Sequence, residues 1–146
     1  MHFTIRINAP KGKVWHTMLD DKTYRVWTGA FCPGSYFEGQ WIPGTKMLFL
    51  ATDEAGDATG MVSRIKEVKP FDFVSIEHLG EVRNGKEDTT SETVLPWAGA
   101  LENYTFTEID GVTELQIDQD IDEAHKEMFA GMWPNALQKL KEICEE

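Results

Sequence analysis

The stretch Asp122–Glu146, DEAHKEMFAGMWPNALQKLKEICEE, decides the fold. Met128, Phe129, Met132, Trp133, Ala136, Leu137, Leu140, Ile143 and Cys144 recur at steps of three and four, which draws one apolar stripe along an α-helix. Asp122 stands where a cap belongs, Glu123 suits the positive end of a helix, and Lys139 and Lys141 lie toward its negative end. About 23 helical residues rising 1.5 Å each predict a rod of roughly 35 Å, enough to cross a small domain. Pro134 disturbs this pattern. It has no N–H for the carbonyl of Ala130, and a proline in a helix interior costs about 3 kcal/mol. Gly131 loosens the same turn. The stretch therefore predicts a long helix kinked or broken near residues 130–134, with Phe129, Met132 and Trp133 at the bend. Such a bend is either a gate over the space beneath it or a kink that lets the helix follow a curved sheet.

Upstream, the chain supplies a sheet for this helix to cover. Phe3, Ile5 and Ile7 alternate with His2, Thr4, Arg6 and Asn8, the pattern of a half-buried strand. Ala9-Pro10 then opens a helix with Val14, Trp15, Met18 and Leu19 inward, since proline is at home in a first turn. Asp20 or Asp21 caps a second short helix carrying Tyr24, Val26 and Trp27. After the break at 29–34, strands are predicted over 35–41, 46–52, 59–68, 71–79, 102–109 and 112–121. Between them lie the turn Ile42-Pro43-Gly44-Thr45, the acidic turn Asp53 to Asp57 and Asp110-Gly111, the clearest hairpin signal in the chain. Consecutive strands on short turns make an antiparallel sheet with an apolar face to cover, and only the last helix is long enough to cover it. The expected class is α+β: two short helices after strand 1, then a curved antiparallel sheet of about six to seven strands wrapped on a long C-terminal helix. Residues 1–146 are read as one domain. A space between sheet and helix is where small-molecule sites form.

The 146 residues are 41% hydrophobic and 27% charged, enough to bury a core without metals or disulfides. A net charge of −11 argues against nucleic acid or an anionic membrane as partner, and favours a neutral or cationic ligand. No basic-then-apolar leader opens the chain and no run of about eighteen apolar residues occurs, so a cytoplasmic location with no membrane span is expected. Cys32 and Cys144 are expected to be free thiols.

In this order, several segments resemble the START-like (SRPBCC) superfamily, and within it the group similar to the activator of heat-shock protein 90 ATPase. They are Ala9-Pro10-Lys11-Gly12-Lys13-Val14-Trp15 after the opening strand, Trp27 ending the second helix, and Tyr104-Thr105-Phe106-Thr107-Glu108 before a Gly-turn strand. Trp133, Ala136, Leu137, Leu140 and Lys141 of the last helix complete the set. The resemblance implies a helix-grip fold with a cavity for a hydrophobic ligand. Its members include lipid and hormone binders, polyketide cyclases and co-chaperone domains, so it does not choose a function. Pro134 and the long segment from Arg83 to Pro96 depart from the usual pattern.

No catalytic, metal or cofactor motif is present. His2, His16, His78 and His125 form no zinc-binding spacing, 53–57 lacks the spacing of a calcium loop, and Ser35 has no nucleophile elbow around it. His78 follows Val74 and Ile76 at strand period, so the three share a face. On the concave face it would be a polar group in an apolar cavity, with Glu102 and Tyr104 as companions; on the other it is a strand-end histidine. The expected cavity wall is Trp27, Phe49, Ile76, His78, Tyr104, Phe106, Phe129, Met132 and Trp133, and the polar candidates are His78, Glu102 and Tyr104. Residues 81–96 read as a lid or as an extended hairpin arm. The function expected is a small binding protein that holds a hydrophobic or aromatic molecule. A chaperone-directed or other protein-interaction domain, and a cyclase- or lyase-like enzyme using the cavity His, Glu and Tyr, are the alternatives.

Overall fold

The fold was analysed in a computed structural model that describes residues 1–52, 54–121 and 123–146. Each of the seven predicted segments contains a strand, and β6 is an eighth that was not predicted: β1 (His2–Ile7), β2 (Tyr36–Glu38), β3 (Lys46–Thr52), β4 (Ala58–Lys69), β5 (Phe73–Arg83), β6 (Lys86–Asp88), β7 (Ala100–Ile109) and β8 (Val112–Gln119). Among the described residues these eight make one sheet in the order β1-β8-β7-β5-β4-β3-β2, with β6 paired to β5 off that path. Every pairing is antiparallel. Asp110 and Gly111 join β7 to β8 with φ of 52° and 79°, the two left-handed residues that a tight hairpin turn needs.

Two helices follow β1. Pro10 caps α1 (Lys11–Leu19), which buries Val14, Trp15, Met18 and Leu19 as its spacing predicts. α2 (Asp21–Trp27) buries Trp27, while Val26 is 48% exposed and contributes nothing to the core. The C-terminal stretch forms α3 (Lys126–Cys144), entered through a short 3-10 turn at Glu123–His125. Its stripe buries Trp133, Ala136, Leu137, Leu140 and Cys144 against α1, β1 and α2. The far end of α3 is tied down by polar contacts: Lys141 Nζ donates to the Arg6 carbonyl at 3.0 Å, and the Asn8 amide donates to Glu145 Oε2 at 2.8 Å.

Several expectations need correcting. α3 has 19 residues and runs unbroken through Pro134. Ala130 and Pro134 both face solvent, so water can serve the carbonyl that lacks its N–H, and packing of the opposite face outweighs the local penalty. Met128 is 50% exposed and lies off the buried stripe. The expected cap Asp122, and Asp53 of the acidic turn, lie outside the described residues. The strand expected at 35–41 is only Tyr36–Glu38, and Phe71 sits in a turn with φ of 69° rather than opening a strand. Residues 81–88 are a hairpin arm, since β5 continues to Arg83 and returns through Asn84-Gly85, with Glu81 opposite Asp88.

Replacing Pro134 by alanine is expected to restore the bond to Ala130 and raise the denaturant midpoint, by up to about 3 kcal/mol of stability. A midpoint that falls would mean that α3 depends on a bend at this residue. Slower ligand entry and exit in the same variant would support a gate.

Candidate ligand cavity

The sheet is longer than the helices can cover. α1 and the C-terminal half of α3 fill one end, where Leu115, Ile117, Ile76 and Leu140 lie in a continuous core. At the other end α2, the segment after it and the N-terminal half of α3 stand off the sheet. They enclose a space of about 350 Å³ over β3, β4, β5 and β7. Aromatic rings build its sides. Trp133 is the hub, with ring centres of Phe31 at 4.8 Å, Trp27 at 6.3 Å and Tyr104 at 6.3 Å. Tyr24 stands edge-on to Trp27 at 5.6 Å and lies 6.3 Å from Phe49. Small residues on the strands leave the space open: Ala51 on β3 and Gly60 on β4 both line it. A Cβ at Gly60 would stand 1.8 Å from the Phe49 carbonyl oxygen, so only glycine permits this approach of β4 to β3.

One polar cluster interrupts the apolar wall. Glu102 Oε1 lies 3.0 Å from His78 Nε2 and accepts from Gln119 Nε2 at 2.9 Å, while Oε2 accepts the Tyr104 hydroxyl. The Trp133 indole N–H donates to Gln119 Oε1 at 2.7 Å, which couples α3 to the cluster. Ser63 Oγ lies 2.7 Å from His78 Nδ1. The carboxylate thus takes two donors, Gln119 and Tyr104, and a third in the His78 tautomer that carries its proton on Nε2, which offsets the cost of burying it. Ser63, His78 and Glu102 follow the connectivity of a hydrolase triad, but Ser63 is fully buried and does not line the cavity, so its hydroxyl reaches no ligand. Burial, and after it the Glu102 charge and hydrogen bond, hold the Tyr104 hydroxyl well above its usual pKa; burial and then Glu102 also raise Tyr24. A second space of about 240 Å³ shares Met61, His78, Gln119 and Phe129 with the first, and is walled on its far side by Trp97 and Met128.

Residues 8–145 match the family model described as Activator of Hsp90 ATPase homolog 1-like protein. The chain belongs to that family. A search of curated proteins returns no match. Among solved structures, a protein from Nitrosomonas europaea is similar at a TM-score of 0.75 and 15% identity, over 99% of this chain and 92% of that one. The solution structure of the Aha1 dimer from Colwellia psychrerythraea is similar at 0.70 and 16%, over 99% and 95%. DynU16, from the dynemicin biosynthetic locus, is similar at 0.69 and 14%; it is covered over 97% of this chain but 45% of its own length, so this chain spans less than half of that protein. At such identities the likeness shows the fold, and that fold is the START-like helix-grip expected from the sequence.

In this family member the cavity brings together Trp27, Phe49, His78, Glu102, Tyr104, Phe129 and Trp133. Three other expected wall residues lie elsewhere. Phe106 packs edge-on to Trp15 of α1 at 5.2 Å, Ile76 is buried in the core opposite Glu102 on β7, and Met132 lines neither space. Tyr24, Phe31, Met61 and Gln119 line the cavity and were not anticipated there. Gln119 follows Leu115 and Ile117 at strand period, so β8 alone could have revealed it. Phe31 sits in an irregular segment with no period to read. Of the 81–96 segment, Glu81 reaches the second space, and Val94 is buried, anchoring the turn that follows β6. No group of three metal-ligating side chains occurs among the described residues. No helix there is long and apolar enough to cross a membrane.

The tyrosines make stability sensitive to alkali. Tyr104 stays neutral in the folded chain while its unfolded counterpart ionises near pH 10, so the unfolded state binds fewer protons above that pH. Stability is therefore complete below pH 10 and falls above it, by about 1.4 kcal/mol per pH unit for each tyrosine kept neutral. Urea denaturation from pH 8 to 11 is expected to show a shallower alkaline fall in Tyr104→Phe than in the parent; identical slopes would contradict this.

Proposed function

We propose that this member of the family encloses a small hydrophobic or aromatic molecule between the sheet and the N-terminal half of α3. One observation carries the reading: Tyr24, Trp27, Phe31, Phe49, Phe129 and Trp133 converge on a space of about 350 Å³ with a single polar cluster in its wall. That volume lies within the roughly 300–1,000 Å³ range of small-molecule sites, and one cluster in an apolar wall is how such sites orient their ligands. A START-like fold in a family of this kind is also that of a small ligand-binding domain. The enzymatic alternative finds less support, because both ring nitrogens of His78 already face partners at hydrogen-bond distance and Ser63 is shut off. For a protein partner, the exposed apolar residues Val26, Ile42, Phe71, Leu95, Ile109 and Met128 are spread over different elements rather than gathered on one. The reading treats 1–146 as one unit in the cytoplasm, which is consistent with Cys32 and Cys144 being free thiols.

Titrating a panel of neutral lipids and aromatic compounds is expected to quench or shift tryptophan emission through Trp27 and Trp133, and to raise the melting temperature. A panel that moves neither at saturating concentration would overturn the binding role.

A further inference from the structure

The cavity's polar groups differ in what they have left to offer. Glu102 Oε1 is occupied by His78 and Gln119, and Oε2 by the Tyr104 hydroxyl, whose oxygen keeps lone pairs as acceptors. With Ser63 donating to Nδ1 and Nε2–H donating to Glu102, a neutral imidazole is served on both sides. The Tyr24 hydroxyl is the exception. Its ring lines the cavity, and the hydroxyl makes no hydrogen bond among the described residues. Nor does it count among the fully buried side-chain atoms that lack a partner, so it keeps accessible surface on a side chain that lines the cavity. Its pKa is raised by burial first and by the Glu102 charge second, which keeps it an O–H donor and shows that it feels the carboxylate. Among the described lining residues no lysine or arginine appears, and Glu102 is the only acid.

We infer that the cavity selects a neutral, hydroxyl-bearing ring compound, whose hydroxyl accepts from Tyr24 and donates to the Tyr104–Glu102 pair, and that it rejects carboxylates of the same shape. This inference rests on the binding role proposed above. A hydroxyl group both donates and accepts, which is what the free Tyr24 O–H and the remaining lone pairs of Tyr104 and Glu102 together require. A ligand carboxylate brings a second negative charge beside Glu102 with no lysine or arginine on the described lining to offset it, in a space walled largely by aromatic rings, where like charges repel more than in bulk water. Fatty acids and aromatic acids are therefore excluded by charge, whatever their fit. Neutral hydrocarbons of the same shape are admitted but lose the hydroxyl contacts.

Three probes of one shape test this by titration calorimetry at pH 7: 2-naphthol, 2-naphthoate and 2-methylnaphthalene. The expected result is 2-naphthol bound about tenfold or more tighter than either of the others, the size of one well-placed hydrogen bond or one unbalanced charge. Tyr24→Phe removes a hydroxyl that makes no hydrogen bond among the described residues, and should weaken 2-naphthol about tenfold relative to 2-methylnaphthalene. Glu102→Gln should narrow the gap between 2-naphthol and 2-naphthoate, with melting curves showing that each variant is folded. Equal binding of 2-naphthol and 2-naphthoate would overturn the selectivity and leave the binding role standing. Tight 2-naphthol binding that Tyr24→Phe does not weaken would overturn the assigned contacts. No binding of any probe, together with a silent panel, would remove the binding role and this inference with it.

Discussion

Leu140→Ala is expected to lower stability by about 2–5 kcal/mol, a large part of what holds a protein of this size folded. Leu140 is 0% exposed, four residues from Ala136 and Cys144 on the buried stripe of α3. It lies at the end where α3 packs on α1 and β1, away from the cavity, so the void left by truncation has no ligand or bulk water to fill it. The cost therefore combines the lost transfer of apolar surface with a cavity that the surroundings close only in part. Leu137→Ala, one residue past Ala136 on the same face, should fall in the same range. Equilibrium denaturation of both variants is the measurement. Near-neutral results in the pair would take α3 out of the core, and the helix-grip fold with it.

Trp133→Ala should cost about 3–5 kcal/mol and should also remove part of the fluorescence response to ligand, leaving the part that Trp27 reports. The residue does three things at once. Its ring is 2% exposed among Phe3, Trp27, Phe31 and Tyr104, so truncation removes all four of these ring contacts to α3. Its indole N–H anchors Gln119, which in turn donates to Glu102, so removal also frees the polar cluster. Its position on the cavity wall enlarges the space when it is lost. Trp133→Phe separates these roles: it keeps most of the ring volume and loses only the N–H. It should cost less than the alanine variant, and yet disturb ligand orientation as much as Gln119→Leu does. A Trp133→Ala variant with parent-like stability would contradict the packing described here.

The fold was largely legible because its signals are local and periodic. Alternation marked the strands around Phe3, Phe49, Ile76 and Leu115, and Asp110-Gly111 marked its hairpin. The same kind of signal stands at Asn84-Gly85, with φ of 51° and 75°, and favours the hairpin arm of the two readings open for residues 81–96. Pro134 was over-read, since a local penalty was set against a packed stripe that outweighs it and a solvent-facing carbonyl that softens it. The cavity was legible only in part, for a geometric reason. Strand period tells which face a residue occupies but not how far along the sheet it lies. Ile76 and His78 share a face, yet one is buried in the core and the other meets open space. Phe106 is likewise two residues from Tyr104, and falls under Trp15 instead of beside the cavity. Phe31 could not be placed, because its position depends on how the segment after α2 folds back against Trp133.

The most direct test of a binding site between sheet and helix is where a ligand sits. Intermolecular nuclear Overhauser effects should be measured between 2-naphthol, or whichever panel compound binds best, and the aromatic side chains of the protein. The account predicts contacts from ligand protons to Tyr24, Phe49, Phe129 and Trp133 together, and none to Phe106 or Ile76. Contacts confined to the exposed Ile109, Leu95 or Phe71, with the Trp133 ring silent, would contradict it.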